Sequence, residues 1–260
     1  MRDKKTYIVL IVIVVVFFVV MFAFFGLQSL RENSQESVFI VGDSSVWAYS
    51  KKKWYTISST SALKKLDWKK YQIFLDNKKF GKYYLWNDSE KWYAFDNDKN
   101  AVKLEGNMFA YNANYDINVH DYTLDKIDDN NEYVNQVLEK NGLSISSKFT
   151  AANKVSFDFD NDGNIEDFYL ITNVFPLDFK PDITFSLVFM VKNNTIYDIY
   201  TDVSENETFD GCKPYFNTFF DYNDDNTYEF VLSCARYSVS EQIDMLYRFS
   251  DNKFKIIISS

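Results

Sequence analysis

The sequence predicts a mainly β ectodomain of short antiparallel hairpins, propeller-like or sandwich-like, carried on one N-terminal transmembrane helix. Three observations predict it. Tyr7–Phe25 is a run of 19 residues without a charge. Beyond it, short aromatic and β-branched runs alternate with Asn/Asp/Lys turns, the pattern of strands joined by hairpins. Finally, an acidic loop recurs with the same spacing 63 residues further on. Composition agrees, because 19% Phe, Tyr and Trp is too aromatic for a disordered chain. Seven Gly and three Pro exclude collagen-like and linker classes. One His and two Cys exclude a Cys/His zinc site, a haem-attachment motif and a multi-histidine catalytic centre.

Residues 1–6 read as a cytoplasmic tail and 7–26 as the membrane helix. At 1.5 Å per residue the apolar run spans roughly 28 Å, about the hydrocarbon thickness of a bilayer. Arg2, Lys4 and Lys5 precede it, whereas Arg31 is offset by Glu32. The positive side faces the cytoplasm, which places the C-terminal domain outside a plasma membrane crossed once. The stretch Ala23–Gly26 offers no small-x-small cleavage site, so the segment is expected as a retained anchor rather than a signal peptide. Residues 27–37 are polar and read as a stalk.

Two modules follow, separated by charge. Residues 38–118 carry 13 basic and 9 acidic residues, and 119–260 carry 11 basic and 25 acidic. The second module should repel nucleic acid and attract cations. The first holds all five Trp, at 47, 54, 68, 86 and 92, suited to sheet packing or to a face that stacks on sugars. One hairpin pattern recurs at Val46–Ile57, Tyr84–Phe95, Val188–Ile199 and Leu246–Ile257. Ser61–Lys70 suggests one or two helical turns. Residues 131–141 predict a helix more firmly, with Tyr133, Val134, Val137 and Leu138 on one face and Asn141-Gly142 as its stop.

Cys212 and Cys234 fall on the outer side, where a disulfide is permitted. A plain hairpin around 221–229 would set Cys234 opposite Phe216, with Cys212 roughly 13 Å away. That exceeds the reach of a disulfide unless a bulge or a neighbouring strand intervenes, so the pairing stays open.

The acidic loops carry the most chemistry. In Phe157–Ile171, Asp158, Asp160 and Asp162 alternate, Gly163 permits a sharp turn, the Asn164 carbonyl adds an oxygen, and Glu166 takes the ninth position. Alternating carboxylates on a curled loop converge on one centre and suit Ca²⁺, which takes six to eight oxygens. Tyr169 stands where an EF-hand has its bidentate Glu, and a strand-like run follows. In the second copy Asp221, Asn223, Asp225 and Glu229 match Asp158, Asp160, Asp162 and Glu166, with Asn226 for Gly163. The second copy lacks one carboxylate and is expected to bind more weakly. Asp96-x-Asp98-x-Asn100 lacks the Gly and the ninth acid and reads as a surface turn.

Over 158–171 and 221–232 the chain resembles the bacterial VCBS and FG-GAP repeats, whose pattern is Asp-x-Asp/Asn-x-Asp-Gly-x-x-Asp before an apolar strand. Both copies depart from it in carrying Glu at the ninth position. The resemblance implies a propeller-like or sandwich-like module with calcium as a structural cofactor, and no single activity. No nucleophile elbow, Walker loop or dinucleotide fingerprint is present, and His120 reads as structural. The leading expectation is a membrane-anchored extracytoplasmic interaction or adhesion module, stabilised by Ca²⁺, that binds a surface protein or glycan. The alternatives are an extracytoplasmic glycan-active hydrolase and an accessory subunit of a membrane complex.

Overall fold

Strand-forming residues dominate the chain, and they pair accordingly. The computed structural model describes residues 36–88, 91–128, 130–144, 149–174, 183–204, 211–236 and 241–260. The expected tail 1–6, the membrane helix 7–26 and the stalk 27–37 up to residue 35 lie outside the described residues. No helix among the described residues is long and apolar enough to cross a membrane.

The first strands are β1 (Ser37–Val41), β2 (Ser45–Ser50), β3 (Lys53–Thr56), β4 (Lys69–Leu75), β5 (Lys78–Asn87), β6 (Trp92–Phe95), β7 (Ala101–Val102) and β8 (Met108–Asn112), with helix α1 (Thr60–Leu63) between β3 and β4. Two short strands follow, β9 (Asn118–His120) and β10 (Asp125–Lys126), then helix α2 (Glu132–Lys140). The acidic half continues as β11 (Ala151–Phe157), β12 (Glu166–Thr172), β13 (Thr184–Lys192) and β14 (Thr195–Ser204). It ends with β15 (Cys212–Asp221), β16 (Glu229–Arg236), β17 (Glu241–Ser250) and β18 (Lys253–Ser259). They form three antiparallel sheets, ordered β3-β2-β1-β8-β4-β5-β6-β7, β18-β17-β16-β15-β9 and β10-β11-β12-β13-β14.

The four expected hairpins are the pairs β2–β3, β5–β6, β13–β14 and β17–β18. Asn193-Asn194 and Asp251-Asn252 turn with φ between 50° and 59° at both positions, the left-handed geometry whose twist matches the flanking strands. Helix α2 forms as the sequence predicts, capped by the Asn131 side chain and stopped at Asn141-Gly142. The expected helix over Ser61–Lys70 is only α1. Ser59 caps it, it ends at Leu63, and Trp68 turns left-handed at φ 58° before Lys69 and Lys70 enter β4. Leu66 is nevertheless buried against the first sheet.

The last eight strands are one unit used twice. β11–β14 and β15–β18 are each a four-stranded meander, each gains one short strand beside its first, and each breaks register between its third and fourth strands. Between these irregularities side chains alternate across the strands, as the pleat requires. Phe168, Leu170, Val188 and Met190 of the third sheet face Phe230, Leu232, Met245 and Tyr247 of the second. The other side of the second sheet, with Phe220, Val231 and Leu246, packs on Phe39, Val41, Trp47 and Phe109 of the first. Phe157 lies in the former layer and its counterpart Phe220 in the latter, so the two units stack with the same face forward.

The ends of the stack are covered. Val134, Val137 and Leu138 of α2 pack on Tyr169, Ile171, Leu187 and Phe189 of the third sheet. Leu63 and Leu66 cover the far side of the first. Trp47 and Trp92 are core residues, while Trp68 is half-exposed against Phe95. His120 stacks on Phe157 at 4.0 Å, and burial lowers its pKa, which agrees with a structural role.

Between the first and second sheets, buried Asp244 joins the two halves of the chain. Its carboxylate accepts from Ser45 and Ser233 at 2.5 Å each and from Gln242 at 2.9 Å, and its carbonyl accepts from the Ser260 amide. Hydrogen bonds to a charged group contribute roughly 1.5–3 kcal/mol each.

Cys212 and Cys234 form a disulfide, with Cα atoms 5.4 Å apart. Two one-residue shifts make this possible. The hairpin pairs Phe220 with Glu229, one position from the plain expectation, and Asn217 is an extra, unpaired residue in β15 that adds a second, so that Pro214, not Phe216, lies opposite Cys234. Closing a loop of this size stabilises a fold by about 3 kcal/mol. Replacing both cysteines by Ser is therefore expected to lower unfolding free energy by roughly that amount in denaturant titration. An unchanged midpoint would show that the bond adds nothing to the pairing of β15 and β16.

Candidate functional site

Each acidic loop closes the first hairpin of its unit. Asp158–Ile165 joins β11 to β12, and Tyr222–Tyr228 joins β15 to β16. Their backbones match. Asn161 and Gly163 are left-handed in the first, and Asp224 and Asn226 at the equivalent positions of the second. Asn thus replaces Gly at 226 without losing the turn. The loops also touch, because Asn161 Nδ2 donates to the Asn226 carbonyl at 2.9 Å and the Tyr228 amide to the Phe159 carbonyl at 3.1 Å.

In the first loop, Asp158 accepts from the Asp162 and Gly163 amides, both at 3.0 Å. Asp162 accepts from the amide and side chain of Asn164 at 2.9 Å. Glu166 opens β12 with no solvent exposure, and its Oε2 accepts from the Phe159 amide at 2.9 Å. One oxygen each from Asp158, Asp160 and Glu166 lies within 4.8 Å of the others, and Asp160 Oδ1 is buried without a hydrogen-bond partner. These oxygens fit a small hard cation.

A cation of the chain already reaches that centre. Lys192, at the end of β13, places Nζ 2.5 Å from Asp160, 2.7 Å from Asp162 and 3.2 Å from Glu166. Burial opposes the charge on Lys192, but its bonds to the three acids outweigh burial and hold its pKa above the ordinary value. The same ammonium, with the Asn164 amide, holds Asp162 down to about 2. Burial raises the Glu166 carboxyl, opposed by the Phe159 amide and Lys192.

The second loop is arranged differently. Asp221 accepts from the Asn226 amide at 2.9 Å and from the Asn223 and Asp225 amides at 3.3 Å. Asp225 accepts from Thr227 and Asn223, and Arg248 lies 2.7 Å from it and 3.4 Å from Glu229. The only group of three acids converging closely enough for a metal, among the described residues, is in the first loop. The second set has Asn223 in place of one of these carboxylates. Lys192 and Arg248 went unnoticed in the sequence because each comes from the third strand of its unit, far along the chain from the acids it meets. Asp96 is a turn residue as expected, accepting from the Asp98 and Asn100 amides.

Glu229 is fully buried, and burial pushes its carboxyl up to about 8, with Arg248 the main opposing influence. The folded chain then keeps a proton that the unfolded chain loses near its ordinary 4.5. Stability from this group is complete below that value and declines as pH rises towards 8. Glu229→Gln is expected to flatten the fall in unfolding free energy across this window, and an unaltered slope would refute the assignment.

No family model, curated protein or solved structure matches the chain, so the likeness to calcium-loop repeats stands on the loop residues themselves.

Proposed function

We propose that the chain is a single-pass membrane protein whose β domain lies outside the cell and serves as a non-catalytic interaction module for a surface protein or glycan. The disulfide carries this reading, because such bonds persist outside the reducing cytosol. The apolar run Tyr7–Phe25 and its N-terminal positive charges support the anchor and its orientation. The same-face stack of two like units supports a propeller-like arrangement of blades. For catalysis by paired carboxylates, a cleft would need two acids. The two adjoining cavities beside the first sheet together hold two acids, Asp43 and Asp76, and Asp76 is already bonded to Asn107. That arrangement favours binding over hydrolysis.

Calcium belongs to this proposal at the first loop alone, where it would compete with the Lys192 ammonium. The ion pair holds the loop together without metal. Removing the ammonium leaves Asp160 and buried Glu166 uncompensated, at a cost of about 3 kcal/mol or more. Lys192→Met is therefore expected to melt lower than the unaltered chain in chelator and to regain stability in calcium, whereas the unaltered chain responds weakly. Equal calcium responses in the two proteins would rule the competition out.

Topology has a direct test in a bacterial host. Alkaline phosphatase fused to the C-terminus should be active and stay with carbonate-washed membranes. A fluorescent cytoplasmic-type reporter at that end, with an inactive phosphatase, would overturn the proposed orientation.

A further inference from the structure

The bulge that brings the cysteines together also re-aims Asn217. Bulges commonly redirect a side chain at a functional site. Asn217 is 2% exposed, and neither its side-chain oxygen nor its nitrogen has a hydrogen-bond partner. A buried carboxamide with both ends unpaired is costly and calls for an explanation. It lines a cavity of about 480 Å³ between the first and second sheets. A second cavity of about 500 Å³ shares Asn107 and Tyr215 with the first as walls. Volumes of this order hold small ligands.

We infer that this cleft is a saccharide-binding site, with the Asn217 amide as its central polar contact; the inference rests on the extracytoplasmic interaction reading and names its ligand class. A primary amide offers donors and an acceptor side by side. Sugar hydroxyls accept and donate in the same way. Gln242 adds a second amide, whose nitrogen is fixed by Asp244 at 2.9 Å. Tyr93 and Tyr215 give the walls apolar bodies with polar tips, suited to the C–H faces of a pyranose ring. Charges at the rim are mixed, Lys91 and Lys103 against Asp43, and Lys103 is already paired with Glu105. No concentrated field selects an anion, so the ligand is a neutral sugar. Two adjoining cavities suit an oligomer better than a single ring.

The test uses the full-length chain in a detergent without a sugar headgroup. Chitotriose, cellotriose, maltotriose and mannotriose are titrated by calorimetry up to about 10 mM, which covers weak single-site affinities. At least one is expected to bind saturably. Asn217→Ala should weaken that sugar at least tenfold without lowering the melting temperature. Tyr215→Ala, at a partly buried position shared by both cavities, should weaken it as well, and it serves as the test if the first variant does not fold. Failure of all four sugars to bind, or binding unaltered in the folded variants, overturns the inference. An active C-terminal phosphatase beside that failure leaves the interaction module standing with a protein partner, whereas an inactive one removes the reading on which the inference rests.

Discussion

A carboxyl buried at the first position of a strand must find positive charge or keep its proton, and this requirement organises both repeated units. Glu166 and Glu229 each follow a loop and open the second strand of a meander with no solvent exposure. Desolvating an ion costs several kcal/mol unless a partner and further hydrogen bonds compensate. Each unit finds its partner on its third strand, Lys192 on β13 and Arg248 on β17. The two cations are not at equivalent positions. Lys192 is followed directly by the Asn193-Asn194 turn, whereas Arg248 lies two residues earlier relative to the Asp251-Asn252 turn. The longer guanidinium reaches its acids from one pleat further back on the same face of the sheet.

The compensation is unequal, and this separates the two loops. Lys192 meets three acids, and the Phe159 amide also binds Glu166. Glu229 has the more distant Arg248 contact and a lesser influence from the Tyr222 amide, and its carboxyl is pushed up to about 8. Three converging carboxylates with one ammonium retain excess negative charge, which leaves room for a competing cation. The second loop spends its acids on backbone amides and Arg248, and has Asn223 where the first has Asp160. The repeat therefore preserves a turn geometry more faithfully than it preserves a cation centre.

Local signals were legible in the sequence, and long-range ones were not. All four hairpins formed because each has a short polar turn between apolar runs, and α2 formed because a cap, an apolar stripe and a stop agree. Asp158, Asp160 and Glu166 converge because their alternation is local to one loop. Lys192 was invisible because its place beside Asp160 depends on the pairing of β12 with β13 across a long excursion. The disulfide stayed open for a similar reason. Nothing in Tyr215–Phe219 marks Asn217 as an extra residue, yet that insertion moves the partner of Cys234 by one position, from Tyr215 to Pro214, and the hairpin's register at the loop accounts for the other position separating it from Phe216. The Asn217 cleft was illegible for the same reason, since its walls come from the two halves of the chain.

Same-face stacking explains how so few sheets can suffice. In an arrangement of like units, every unit presents a forward and a rear apolar face, and a terminal unit must have its free face covered. A closed ring of blades solves this by adding units until the ends meet. This chain covers its ends instead. Helix α2 lies on the rear of the third sheet, and the α1 segment with Leu66 lies on the front of the first. The first sheet has eight strands and does not repeat the acidic loop, so it receives the forward face of the second sheet without presenting an equivalent loop of its own. Its junction with the second sheet is accordingly, among the described residues, where two unlike sheets meet. There the apolar layer of Phe39, Trp47 and Phe220 gives way to the polar contacts of Asp244 and then to the cleft. The cavities lie at the junction of unlike sheets, whereas the space between the two like sheets is filled by Phe157, Phe168, Phe219 and Phe230.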